Sequence, residues 1–525
     1  MLDRHRYHWA TPGDVNAFFG LSLDNLAGLV LTVSLLATVF GFPVEFALGH
    51  LVPGTAVGVI VGDILFTWMA FRLARRTGRT DVTAMPLGLD TPSTFGMVFF
   101  VLGPAFRAAL DGGMDEEAAA RHAWHIGMCS IVASGFFKLA CVPLAGTIRR
   151  IVPRAGLLGS LAAIALALIT FLPMLEIITS PLAGLVSLGI ILATLTARIP
   201  FPLRIPGALA ALLVGGGIHY LGGWAGFIPA AEGHVAIDSA AALWPTEWLR
   251  ALEFEWLAAW SDTVRYLPIV IPFALGTVVG GIDCTESAAA VGDEYDTGRV
   301  IAVEGLATII AGACGGVIQT TPYIGRAAYT LATAVFIGLA GLTGTFAWLY
   351  QAIPGPVILP VLVFIGLEIT AQSFHATPER HYPAVAMACI PALAALAKIQ
   401  ADKLLAAGAI PQGPLVAELF SVRLLAAGFI VTSLVWAGLV AALIDRHLRA
   451  AAGWCLAAAS LTLCGVIHSP FADGRLFLPW SIGELPAEAA GRGPLTLAAS
   501  YGLLAVLFAA WSLWPERDRR PHSSP

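Results

Sequence analysis

Hydrophobic positions in this chain do not alternate with polar ones. They run in long blocks, each about 20 residues, the length of a helix that crosses a bilayer core. In order, the blocks are Val15–Phe40, Gly54–Ala74, Val82–Leu110, Trp124–Ile148, Ala155–Leu175, Pro181–Ala197 and Pro206–Leu221. A polar stretch, 222–261, separates these from Leu267–Val291, Val300–Cys314, Val317–Ala334, Phe336–Ile353, Pro354–Phe374, Ala384–Ile399 and Val422–Ile444. Ala451–Ile467 and Pro494–Trp514 follow. The pattern predicts seven spans, then seven, then two extra C-terminal ones. An odd number per half sets the two sevens in opposite orientations, an inverted repeat.

The third block of each half is interrupted. The first reads DVTAMPLGLDTPSTFG from Asp81 to Gly96, the second GGVIQTTPYIGRAAYT from Gly315 to Thr330. Each has a short strand-capable piece, then Thr-Pro, then a helix-compatible run. Thr91-Pro92 and Thr321-Pro322 are expected at N-cap and N1, where threonine accepts from an early amide and proline gives up only an orphaned one. The first amides of the two helices, those of Ser93, Thr94, Tyr323 and Ile324, are then expected to point into the membrane interior. Non-helical backbone survives at that depth only when buried in protein or lining a cavity. Two facing helix N-termini favour negative charge or a carbonyl acceptor.

Composition agrees with the block pattern. With 58% hydrophobic and 12% charged residues, a chain of 525 residues lacks the charged surface of a soluble protein. The net charge of −5 identifies no partner, and no nucleic-acid role is expected. The seven cysteines stand singly in apolar blocks, without ligand spacing, and are read as small core residues. The N-terminal residues are polar, with Arg4 and Arg6, and show no cleavage site, so the first span is expected to stay attached. With the amino terminus in the cytoplasm, the inside loops carry Arg72, Arg75, Arg76 and Arg79, then Arg149, Arg150 and Arg154, Arg198 and Arg204, Arg299, Arg380, Arg446 and Arg449, and Arg517, Arg519 and Arg520. The outside loops include the acidic Asp111–Glu117 and Glu232–Glu255 segments. This positive-inside bias predicts a multi-pass protein of the cell (inner) membrane with both termini cytoplasmic. There is no GxxxxGK[ST] loop, nucleophile–base pair or metal cluster. No enzyme, cofactor or metal is expected, and transport would draw on an ion or solute gradient.

Acids at membrane depth are the candidate chemistry. Asp283 and Glu286 lie three residues apart on one helical face of the eighth span. Glu286 is expected at substrate or coupling ion, Asp283 as proton carrier or structural acid. Arg326 either neutralises Glu286 or meets the substrate. Asp24-Asn25, midway along the first span, is either a lid of the site or a packing bond to the broken third element. Lys138 either snorkels or pairs with an acid such as Asp63, and Glu304 is read as structural. Glycine runs such as Gly58–Gly62 and Gly215–Gly217 mean close helix packing.

Glu286-Ser287, Gly292-Asp293, the run Val303–Gly312, Gly315 and Thr320-Thr321 together resemble the nucleobase:cation symporter-2 family, the xanthine/uracil/ascorbate permeases. The likeness is clearest over Gly280–Thr330 and weaker over Ala17–Ile444. It implies an all-α polytopic fold of fourteen spans in inverted repeat, with short strands of spans 3 and 10 meeting at the substrate. The implied core domain is 1–150 and 262–353, the gate domain 151–261 and 354–445, with 446–525 outside that plan. It implies that Glu286 hydrogen-bonds the nucleobase ring, and a homodimer through the gate. The chain departs from the family after Thr321: Pro322-Tyr323-Ile324-Gly325-Arg326 holds no acid, and no histidine follows Glu286 at one-turn spacing. The resulting expectation is a secondary transporter in the lipid bilayer, carrying a nucleobase-like small molecule with protons on Asp283 or Glu286. Its substrate site would comprise Glu286, Asp283, Ser93, Thr94, Thr321, Tyr323, Ile324, Arg326 and Asp24. One alternative is a small-anion carrier built on Arg326 and the two helix N-termini; another is a non-transporting receptor or scaffold.

Overall fold

The structure, a computed structural model, describes residues 7–145, 154–227, 243–471, 476–477 and 493–514. Arg149, Arg150, Arg517, Arg519, Arg520 and part of the 222–261 stretch lie outside the described residues. Among the described residues, nine helices are long and apolar enough to cross a membrane, or eleven if each of two bent pairs is one span. That content makes the chain a multi-pass membrane protein. It divides into two compact units: Met1–Arg150 with Ile169–Gly366, and Ile151–Leu168 with Leu367–Pro525.

The first unit carries the broken elements. Its relevant helices are α1 (Asp14–Phe40), α2 (Val52–Thr77), α3 (Thr91–Asp111), α4 (Glu116–Cys141), α5 (Leu267–Ala290), α6 (Thr297–Ala313) and α7 (Ala327–Leu342). Strand β1 (Leu87–Leu89) precedes α3, and β2 (Thr320–Pro322) precedes α7. Both interrupted blocks are therefore strand-then-helix, as their sequences predict.

Two boundaries differ from expectation. No break falls between Ala334 and Phe336, because nothing there opposes a helix; α7 runs through both. It ends near Gly344, whose φ of 75° is a glycine conformation, and the next helix, Phe346–Ala352, turns away by 91°. The predicted span Val422–Ile444 is two helices, Pro414–Ala426 and Phe429–Ile444, bent by 76°. Gly428 makes that corner at φ 67°, with the Val466 carbonyl where a Cβ would lie.

Close backbone contact binds α2 to α6. Gly54, Gly58 and Gly62 repeat every fourth residue and so share one face. A Cβ on Gly54 would strike the Gly315-Gly316 backbone, one on Gly58 would strike Ala311, and one on Gly62 would strike Leu87. Small residues let helices approach in this way where lipid supplies no hydrophobic drive. Phe66, Met85, Leu87, Ala288, Val300 and Ala307 form the apolar cluster around the strand.

In the second unit, the helix Arg154–Ile164 packs on Tyr382–Ala406 and Phe429–Ile444. Ala384, Ala388, Ala437 and Ala441 line the contact between the last two of these, and the Ser433 hydroxyl donates to the Ala388 carbonyl at 2.6 Å. The two extra C-terminal segments are helices Leu448–Leu463 and Pro494–Ser512, packed on each other. Trp436 Nε1 donates to the Tyr501 hydroxyl at 2.7 Å, tying the last helix to this unit.

Candidate functional site

The site is built on a two-stranded antiparallel ladder in which Leu87 faces Pro322, Gly88 faces Thr321 and Leu89 faces Thr320. The ladder extends at both ends: the Tyr323 amide donates to the Pro86 carbonyl at 2.8 Å, and the Asp90 amide to the Gln319 carbonyl at 2.9 Å. Antiparallel pairs alternate between bonded and non-bonded, so the amides of Leu87 and Leu89 face away from β2. Side chains meet them there. Asp63 Oδ1 of α2 accepts from the Leu87 amide at 2.6 Å, and Asn25 Oδ1 of α1 accepts from the Leu89 amide at 2.7 Å. Of the two sequence readings for Asp24-Asn25, Asn25 makes the packing bond to the broken element.

The outer edge of β2 is closed by different chemistry. Pro322 has no amide to satisfy, which suits an edge position. Lys138 Nζ of α4 donates to the Thr320 carbonyl and to Thr308 Oγ1, both at 3.2 Å, and lies 2.7 Å from Glu304 Oε1 of α6. The ammonium therefore meets three oxygens, two by hydrogen bonds and one as an ion pair. Lys138 and Glu304 are both fully buried. The partner of Lys138 is thus Glu304 and not Asp63, which lies at the other strand. Farther along the same edge, Cys284 of α5 donates to the Pro322 carbonyl at 2.9 Å.

The approach to β1 is also fixed. Asp293 accepts from the amide and the hydroxyl of Thr83 at 2.8 and 2.9 Å and pairs with Arg79 at 2.7 Å. Tyr295 donates to the Thr83 carbonyl, and Tyr7 to the Val82 carbonyl at 2.8 Å. Burial pushes the Tyr7 hydroxyl up to about 12 and raises that of Tyr295 as well, so both donate as neutral phenols.

The start of α3 differs from the sequence expectation. Its N-cap is Asp90, not Thr91; Thr91 is the first helical residue and Pro92 the second. Asp90 Oδ2 accepts from the Ser93 amide at 2.9 Å, and the Asp90 carbonyl accepts from the Thr94 amide and hydroxyl, each at 2.9 Å, and from the Ser93 hydroxyl at 3.0 Å. The Ser93 and Thr94 amides are therefore occupied. A second correction concerns Thr321 and Pro322, which belong to β2; α7 begins five residues later, with Arg326 at its N-cap. The Tyr323 amide, in turn, is spent on the ladder.

Several predicted residues converge and several do not. Asp24 is buried in α1, within electrostatic reach of Asp90. Tyr323 lies within reach of both acids, and its ring lies 2.5 Å from where a Cβ on Gly88 would sit. Thr321 Oγ1 faces Gly280 of α5, and Glu286 is half-buried on the same helix. Asp283 is exposed, although the sequence sets it on one helical face with Glu286. The residues face sides 60° apart, and the boundary of burial falls between them. Ile324 is exposed as well. Arg326 Nη1 pairs with Asp81 Oδ1 at 2.7 Å, so its partner is Asp81 and not Glu286. Sequence reasoning missed Asp90, although an aspartate three residues before an early helical amide is a capping signal. It also missed Gln319, fully buried and accepting from the Ser134 hydroxyl at 2.8 Å; nothing in the local sequence marks that bond.

Chemically, the arrangement is a short ladder flanked by carboxyl and phenol groups, Asp24, Asp90 and Tyr323, with the Ser93, Thr94 and Tyr323 amides already satisfied. It offers hydrogen-bond acceptors more than donors.

No protein-family model matches this chain, and no curated protein sequence does. Solved structures that match this chain include the overall structure of SLC26A9, at 11% identity and a TM-score of 0.46, covering 72% of this chain. The alignment spans 62% of the SLC26A9 chain. Another is the transmembrane domain of a cyanobacterium bicarbonate transporter, BicA, at 13% identity and a TM-score of 0.45, covering 76% of this chain and 98% of that one.

Proposed function

We propose that this chain is a secondary membrane transporter for a small neutral solute that presents N–H donors, of the nucleobase class, moved by alternating access and coupled to a cation gradient. One observation supports this reading above the others. The Asp90 carboxylate occupies the start of α3, and Asp24 stands within electrostatic reach of it. A carboxylate there opposes an anion and accepts from N–H groups. The resemblance of Glu286 to a base-binding glutamate supplies a further acceptor on α5. The anion alternative needs free amides and a free guanidinium, whereas Ser93, Thr94 and Arg326 are engaged.

Uptake by proteoliposomes tests the reading. Labelled xanthine and uracil are compared with small anions, bicarbonate among them, with and without a protonophore. Saturable base uptake that falls about tenfold in Asp90→Asn and Asp24→Asn is expected. Anion uptake that Asp90→Asn leaves intact or raises would assign the site to the alternative. No specific uptake of any solute would point to a receptor or scaffold, and uptake indifferent to the protonophore would remove the proton.

A further inference from the structure

The two halves of the first unit carry the same constellation with one difference. In each, the helix before the strand holds an acid followed four residues later by threonine: Asp63 and Thr67 on α2, Glu304 and Thr308 on α6. That spacing puts each pair on one helical face. Each acid is fully buried beside the strand that follows it. In the second half the Lys138 ammonium completes the set, touching Glu304, Thr308 and the Thr320 carbonyl. In the first half only one Asp63 oxygen is used, by the Leu87 amide. Asp63 Oδ2 and Thr67 Oγ1 are buried and hydrogen-bond to no protein group, and so is Thr333 Oγ1 of α7.

The three residues that bear those oxygens lie at one level of the α2–α7 contact. Gly338 abuts Ile60, Gly341 abuts Ala56, and Ala327 clusters with Ala70, so the helices run antiparallel with Thr333 level with the turn from Asp63 to Thr67. The two threonine hydroxyls are also set apart from their kind. Buried helical threonines usually donate to the carbonyl four residues back. Here Thr32, Thr55, Thr308 and Thr330 all do so, at 2.7 to 2.8 Å. Thr67 and Thr333 do not, although both oxygens are buried.

We propose that Asp63, Thr67 and Thr333 hold an exchangeable monovalent cation in the place that the Lys138 ammonium fills in the other half. A buried carboxylate with no counter-charge is costly in a membrane protein, and a small cation meeting one carboxylate and two hydroxyl oxygens removes that cost. A sodium ion and a proton are the two sources of that charge. The titratable groups brought near by the packed elements are Tyr329 of α7, Cys284 of α5, Tyr295 of the α5–α6 connection and Glu304 of α6, the last already matched by Lys138; β1 brings none. The inference does not depend on which solute is carried.

Thermal unfolding of the purified full-length protein tests it, with sodium chloride exchanged for choline chloride at constant ionic strength and with pH varied in the absence of sodium. A cation bound only by the folded state raises Tm as its concentration rises. Wild-type protein is expected to respond to one of the two. Asp63→Asn should lose the response, and Thr67→Val should shift its midpoint to about tenfold higher cation concentration. A sodium response lost in Asp63→Asn identifies sodium, and a pH response lost without sodium dependence identifies the proton. A wild-type protein indifferent to both, or variants that both keep the wild-type responses, would overturn the proposal. Thr67→Val removes only a hydroxyl, so it carries the test if Asp63→Asn does not fold.

Discussion

The two edges of one small ladder solve the same problem in opposite ways. Backbone at this depth must find partners inside the protein. The β1 edge finds them in acceptors, Asp63 and Asn25, which take its two outward amides. The β2 edge finds them in donors, Lys138 and Cys284, which serve its carbonyls, while Pro322 removes an amide that would otherwise need one. The difference is one of charge. The β2 edge carries its own cation and is electrically complete, whereas the β1 edge ends on a carboxylate. The comparison separates a permanent part of the scaffold from a part that exchanges charge with its surroundings.

The sharpest way to break the comparison is to remove the resident cation. Lys138→Met should leave Glu304 buried without a counter-charge and cost about 3–5 kcal/mol, read as lost folded yield or a lowered unfolding midpoint. Adding Glu304→Leu should recover most of that loss, since replacing both members of a buried pair is often close to neutral. On the β1 edge, Asp63→Ala removes the acceptor of a buried amide and is expected to cost about 1–3 kcal/mol. Asp63→Asn, which keeps Oδ1, should cost less in the same denaturation assay. Asp90→Ala comes next, at about 1 kcal/mol for the lost cap, and should also free the Ser93 amide; a gain in anion binding, measured by titration calorimetry, would sharpen the role of the carboxylate. Arg326→Ala is the smallest effect. Its partner Asp81 is largely exposed, so stability should change by about 0–1 kcal/mol, and solute uptake should stay near wild type.

How much of this was legible in the sequence depended on the range of the forces involved. Block length and Thr-Pro punctuation are local, so α1, α2, α5 and α6, and the strand-then-helix form of both broken blocks, could be read directly. Capping is local too, yet Asp90-Thr91-Pro92 offers two plausible caps, and only the backbone distinguishes them. Pairings across the fold left no such trace. Asp81 and Arg326, or Lys138 and Glu304, are joined by how helices pack, and a charge in an apolar block does not name its partner. Asp283 and Glu286 show the limit of periodicity: a shared helical face did not guarantee a shared environment.

The glycine stripe of α2 has a mechanical consequence. Because Gly54 and Gly58 bring main chain against main chain and Gly62 admits Leu87 of the strand itself, no layer of long, adaptable side chains of its own separates this face of the helix from α6 and the strand. Such a joint has little give. A solute arriving at the ladder would meet a stiff mould, and any slack needed for its passage would have to come from elsewhere in the molecule.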